Sequence, residues 1–370
     1  MKVSRYWATA LIGLGLFGGI VFTTPAGAQE STLSEAKDRA RQAPMNADAA
    51  LAYGRALRRA GRDNDALVEL RRAQSIARGD AAIVAGWEVA RTHIVKREFN
   101  PALAACKGIA KLPSGDAASH ACAAEAHLLW RRGTEALVEV GEVAKIPGAN
   151  AEVRYHAKVA EGRSRELDSK DDAAEAAYKE AINLAPNRPE APMFLGAMLH
   201  RLGKDGVPML KKAVDLDARD PLAQVELGRA LAADPARRGE GIAAFERAIA
   251  ERPSFVEAHR LLTEAYLVQN RLPDAKRTAA AVLKVAPNDV LAHVVSGRVA
   301  LADGKTDEAL KEGEAALKLM PNESKAKLLV ADTYAKKGEI DLALEAYQKA
   351  SGLDPLDPTP LVTRLWSRHA

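Results

Sequence analysis

The sequence predicts an all-α fold built from stacked helix pairs, on three observations. Residues recur every 34 positions: Pro287, Pro321 and Pro355; Ala275, Ala309 and Ala343; Tyr266, Ala300 and Tyr334. Within one period, apolar residues follow the i, i+3, i+4 spacing of a buried helix face, as in Ala326, Leu329, Val330 and Tyr334. Gly-containing breaks alternate with Pro stops, so each period holds two helices rather than one long one. A fixed period in this range makes repeated supersecondary units, not a domain around one central core.

The elements follow in chain order. Residues 1–28 read as a secretory leader: Lys2 and Arg5 precede an apolar run over 8–22, and Ala26-Gly27-Ala28 supplies a small-residue cleavage site before Gln29. The run is shorter than the ~20 residues of a spanning helix, so no membrane span is expected after cleavage at Ala28/Gln29. Residues 29–46 contain a charged capping helix. Nine units follow, at 47–80, 83–116, 117–150, 155–188, 189–220, 221–255, 256–289, 290–323 and 324–357. The last shows the design. One helix ends at Lys336-Lys337-Gly338-Glu339, a second carries Ala343, Leu344, Tyr347 and Ala350 on one face, and Leu353-Asp354-Pro355 stops it. Units 47–188 form a first block and 221–357 a second. Between them, 189–220 is two residues short and Pro-rich, a candidate hinge. Residues 358–370 carry Leu361, Val362, Leu365 and Trp366, a second capping helix and a candidate self-association contact.

These positions resemble the tetratricopeptide repeat family. Its small residue at place eight, large residue at eleven, alanine at twenty, aromatic or leucine at twenty-four, small residue at twenty-seven and proline at thirty-two fall on Ala331, Tyr334, Ala343, Tyr347, Ala350 and Pro355. Gly162, Ala174, Tyr178, Ala181 and Pro186 repeat the set, and Gly54, Leu57, Ala66, Leu70 and Ala73 begin it. Ile109 and Val143 depart from it at place twenty-seven. The resemblance implies a right-handed superhelical solenoid with capping helices at both ends. It also implies a concave groove lined by places five and nine of each first helix. Place five supplies Leu51, Trp87, Val159, Met193, Val225, Arg260, Val294 and Leu328. Place nine supplies Arg55, Arg91, Arg163, Arg229 and Arg298, with Glu125, Glu264 and Asp332 interspersed. An apolar row beside an arginine row suits an extended or helical acidic-hydrophobic segment of a partner protein, with Trp87 as an exposed anchor. The bland alternative is that those acids are the arginines' own salt-bridge partners on a wet face.

Composition bounds the function. Removing Lys2 and Arg5 from 53 basic residues leaves 51 against 49 acidic ones, too even for a nucleic-acid binder. Cys106 and Cys122 are equidistant from the turn near residue 114, so an antiparallel helix pair sets them face to face. Export predicts a disulfide between them. No nucleophile elbow, phosphate loop, zinc-protease or dinucleotide motif occurs, so no catalytic residue, cofactor or metal site is assigned. His120, His259 and His293 share the fourth place of their units, and His93 and His127 the eleventh, a recurrence that packing produces. The expectation is a non-enzymatic periplasmic scaffold or adaptor in a cell-envelope assembly. Proteins that look like this serve secretion, pilus or gliding motility, and outer-membrane or cell-wall machinery. The alternatives are a module for an acidic envelope polysaccharide and a regulatory subunit of an envelope enzyme.

Overall fold

The computed structural model describes residues 32–352. The leader with its Ala28/Gln29 cleavage and the C-terminal cap at 358–370 lie outside the described residues. Within them, nineteen α-helices and one 3-10 turn (Pro235–Arg237) account for the regular structure. Helix α1 (Leu33–Gln42) opens on a capping box: Thr32 N donates to Glu35 Oε2 at 2.9 Å, and Glu35 N to Thr32 Oγ1 at 3.2 Å.

Five helix pairs follow: α2 (Ala47–Arg59) with α3 (Asp63–Ile76), α4 (Asp80–Val95) with α5 (Phe99–Ile109), α6 (Asp116–Leu129) with α7 (Gly133–Lys145), α8 (Ala151–Leu167) with α9 (Asp171–Leu184), and α10 (Glu190–Arg201) with α11 (Val207–Leu216). Then come α12 (Pro221–Ala232) and α13 (Arg238–Glu251), α14 (Val256–Val268) with α15 (Leu272–Val285), α16 (Val290–Ala302) with α17 (Thr306–Leu319), and α18 (Ser324–Lys337) with α19 (Ile340–Ser351). The chain forms two compact bodies. Among the described residues, the N-terminal body comprises 32–231 with 250–253, and the C-terminal body 232–249 with 254–352. The division falls between Leu231 and Ala232, inside the unit that follows the irregular segment 189–220.

Seven of the pairs are closed by the same few contacts. The alanine at place twenty is fully buried in unit after unit: Ala66, Ala102, Ala136, Ala174, Ala275, Ala309 and Ala343. Opposite it the first helix must be thin. A methyl built on Gly162 would stand 2.5 Å from the Tyr178 ring, so only glycine lets α8 and α9 approach this closely. Tyr178, Tyr266 and Tyr347 fill the space between helices, and each passes its hydroxyl hydrogen to an acid at the rim: Glu166, Glu246 and Asp332, all at 2.6 Å.

The turn inside each pair is also uniform. Place fifteen is left-handed in eight units, as Gly61, Arg97, Arg131, Ser169, Gly203, Asn270, Gly304 and Gly338, with φ from 56° to 80°. The next residue donates its N–H back into the end of the first helix: Arg62 to Leu57 O, Glu98 to His93 O, Lys170 to Arg165 O and Glu339 to Tyr334 O, at 2.8–3.0 Å. This is the Schellman ending, and it satisfies the helix's last carbonyls. Four of the eight residues are not glycine, so the turn is imposed there against a local cost.

Between α5 and α6, Cys106 and Cys122 form a disulfide with Cα atoms 5.5 Å apart, both fully buried. It sits in one apolar cluster with Trp87, Ile109, Ala118 and Val143. Ile109 and Val143, larger than the usual alanine, are themselves buried there.

Candidate binding surface on the inner helices

In the N-terminal body the first helices of successive pairs meet along one side, and their charged side chains interlock. Glu88 of α4 receives Arg55 Nε at 3.0 Å and lies 2.7 Å from Arg58 Nη1. Glu125 of α6 takes a two-pronged contact from Arg91, Nε at 3.0 Å and Nη2 at 2.7 Å, and the Trp87 indole N–H at 3.1 Å. His156 of α8 lies between Glu125 (3.3 Å) and Glu152 (3.1 Å). Glu152 also holds Arg188, and Tyr155 donates to Glu190 of α10 at 2.9 Å. The path then closes on itself: Arg59 of α2 reaches Asp217, beyond α11, at 3.5 Å.

Glu88, Glu125, Arg58 and Arg188 are buried, and burial together with their charged neighbours sets their protonation. Burial pushes the Glu88 carboxyl up, but Arg58, Arg55 and Arg91 together outweigh it and hold it at about 2. Burial likewise raises Glu125, and Arg91 with His156 overcomes it, leaving the carboxyl well below the glutamate range. For Arg58 and Arg188 burial prevails over their acid partners and lowers the guanidinium, Arg188 to about 10. Asp220 goes the other way. Burial first, then Asp217, pushes its carboxyl up to about 7, although the Leu222 N–H donates to it at 2.9 Å.

This arrangement corrects the groove expected from the sequence. Trp87 is not an exposed anchor: it has no accessible surface, and its ring lies 4.9 Å from the His156 ring. Arg91 and Arg163 are buried, Arg163 with its guanidinium 4.9 Å from the Phe194 ring centroid. Val159, Met193 and Val225 are buried as well, Leu51 and Arg55 half-buried, and Arg229 half-buried with Glu226 at 3.5 Å. Sequence reasoning missed Glu88, Glu152, Arg188 and Glu190 as members of this side. The available signal was that each arginine-bearing unit here also carries, or adjoins, an acid near its first helix.

The C-terminal body presents a more open inner side. Arg260 is buried against Glu264 (3.1 Å) and Glu257 (3.8 Å). Arg298 is different: its side chain is 52% exposed and approaches Glu264 only to 3.9 Å. On α18, Leu328 is half-buried, and Lys325 and Asp332 flank it. Burial raises the Asp332 carboxyl, opposed by the Tyr347 hydroxyl and by Arg298. Burial lowers the Lys325 ammonium, helped by Arg260. Val294 is buried beneath. Of the expected groove residues, Arg298 and Leu328 are therefore the pair that this body leaves accessible beside one another's helices.

The histidines at place four behave as packing groups. His120 meets Glu139 at 2.6 Å and His293 meets Glu312 at 2.7 Å, each pair 19 residues apart. Among the described residues no helix is long and apolar enough to cross a membrane.

Residues 237–294 and 300–360 match the tetratricopeptide repeat family. No curated protein matches the sequence. Among solved structures, the APC/C hetero-tetramer Cut9-Hcn1 aligns with a TM-score of 0.61 at 18% identity, over 81% of this chain and 58% of that one. This chain thus spans little more than half of that relative's length. A thermophilic TPR protein of Thermus thermophilus aligns at TM-score 0.45 and 22% identity, over 49% of this chain and all of that one. YrrB, described as a TPR protein with an unusual peptide-binding site, aligns at 0.39 and 20%, over 51% and 98%. The fold is that of a tetratricopeptide-type array of helix pairs.

Proposed function

We propose, for a chain whose residues 237–294 and 300–360 match the tetratricopeptide repeat family, that it is a non-enzymatic interaction scaffold and that its partner docks on the inner side of the C-terminal body. One observation carries this reading: Arg298 stands half in solvent on α16, which packs on α18 with its half-buried Leu328, whereas Arg55, Arg58 and Arg91 of the N-terminal inner side are engaged by their own acids. A guanidinium that is weakly paired and accessible can take a carboxylate in two-pronged fashion, and an adjacent leucine gives an apolar anchor. The matching partner is an extended or helical segment of a protein carrying apolar residues and acids.

The same reading sets the scaffold in the bacterial periplasm, within a cell-envelope assembly. Its support is the leader-like composition of residues 1–28 and the buried Cys106–Cys122 disulfide, a bond that oxidising compartments maintain.

The test is in-cell photocrosslinking with a reactive residue at Leu328, with exposed Lys179 on α9 as the control. Capture of one envelope protein at Leu328, absent at Lys179 and abolished by Arg298→Glu, is the expected result. Equal capture in Arg298→Glu, or capture at Lys179 alone, rejects the docking site. Retention of unprocessed leader in the cytoplasmic fraction rejects the location.

A further inference from the structure

The N-terminal body has a cleft of about 730 Å³ between α7 and α9, lined also by α8. Its walls are apolar: Val140 and Val143 from α7, Ile146 just past its end, and Leu184 from α9. Gly141 opens it. A methyl built on that glycine meets nothing within 4 Å, so a helix position that would normally fill the gap leaves it empty.

The polar groups at the lip are mostly spent on one another. Lys158 sits between Glu161 (3.0 Å) and Glu180 (2.7 Å), and Arg165 reaches Glu161 at 3.5 Å. Arg154 is the exception. It lines the same cleft, is exposed, and no carboxylate of the described residues lies within ion-pair distance of it. The site therefore offers an apolar trough with one cation, Arg154, not already paired at its edge. An extended polypeptide laid in the trough would bring backbone amides that the lip, already engaged, does not satisfy. An alkyl chain brings none. The volume lies within the ~300–1,000 Å³ of small-molecule sites, which are characteristically apolar with a few placed polar groups.

We propose that the cleft between α7 and α9 binds a small amphiphilic carboxylate, its chain along Val140, Val143, Ile146 and Leu184 and its head on Arg154. This site is separate from the docking side on Arg298 and Leu328.

The experiment is isothermal titration of the full chain with dodecanoate below its micellar concentration, and with dodecyltrimethylammonium as the cationic control. Saturable one-to-one binding of dodecanoate is expected, with binding of the cation at least tenfold weaker. Arg154→Gln should weaken dodecanoate about tenfold. Gly141→Leu should abolish binding while holding the thermal midpoint at or above that of the wild type, since leucine fills open space on a helix. Ala144→Leu, on the same wall, is the second filling variant should Gly141→Leu fold poorly. Absence of saturable binding by the wild type overturns the proposal. So does equal affinity in a folded filling variant, or equal affinity for the cationic amphiphile.

Discussion

Replacing Glu88 by Gln should expose how much the N-terminal body depends on its interlocked charges. The carboxylate is fully buried and faces Arg55 and Arg58, and its folded pKa of about 2 compares with an ordinary glutamate value of 4.5. At 1.36 kcal/mol for each tenfold change in acidity, that difference corresponds to about 3 kcal/mol at neutral pH. Glutamine also strands the buried Arg58 guanidinium, and a broken buried pair costs ~3–5 kcal/mol. The pH dependence fixes the sign. The folded carboxyl is depressed, so its contribution is complete above the unfolded value near 4.5 and disappears as pH falls towards 2. The assay is urea unfolding of wild type and Glu88→Gln at pH 7 and pH 2.5, followed by far-ultraviolet circular dichroism. The gap between the curves should be about 3–5 kcal/mol at pH 7 and should shrink severalfold at pH 2.5. A companion variant, Arg58→Met with Glu88→Leu, should regain most of the loss, since a matched apolar pair needs no counter-charge. A gap below ~0.5 kcal/mol at pH 7, the range of exposed pairs, would refute the reasoning. So would a gap that ignores pH.

Three further outcomes follow from the same geometry. Ser169→Gly and Arg131→Gly should each stabilise by roughly 0.5–1 kcal/mol, because a left-handed L-residue costs ~1–2 kcal/mol and glycine relieves that while giving up part of it as entropy; calorimetric midpoints of the single and double variants check it. Reducing Cys106–Cys122, which closes a separation of 16 residues, should cost about 3 kcal/mol and lower the melting of the N-terminal body while leaving that of the C-terminal body unchanged. Asp220→Asn should keep the cap on the Leu222 N–H. The folded Asp220 pKa is raised to about 7, so ionisation opposes folding as pH climbs from about 4 to 7. The variant should therefore gain of order 4 kcal/mol over wild type at pH 8 and little at pH 4, read from unfolding midpoints at the two pH values.

The period, the helix pairs and the closing alanines were legible because each depends on residues within one unit. Ala309 and Tyr347 read as core positions from spacing alone, and both are buried. The left-handed turn at place fifteen was hidden in half its occurrences, since Arg97, Arg131, Ser169 and Asn270 carry no glycine signature. The inner side was the least legible part. Whether Arg91 points at solvent or at Glu125, 34 residues on, depends on how closely α4 and α6 approach. That spacing comes from the small residues of both units together. The same approach buries Trp87, which its sequence position presented as an exposed ring. In the C-terminal body Arg298 keeps its exposure because its acid neighbour, Glu264, is already held by Arg260.

The Arg59–Asp217 contact bears on how the molecule comes apart. A string of stacked repeats ordinarily frays from its ends, since a terminal unit loses only one neighbour. Here the opening repeat is tied to the fifth across 158 residues, so its departure breaks two attachments. The N-terminal body should exchange its amide hydrogens as one cooperative block. The helices of the C-terminal body, which pack on adjacent and next-but-one helices, should release theirs stepwise, α18 and α19 before α14. A partner held on α16 and α18 would then be gripped by the part of the chain that opens most readily, and its binding would appear as slowed exchange there.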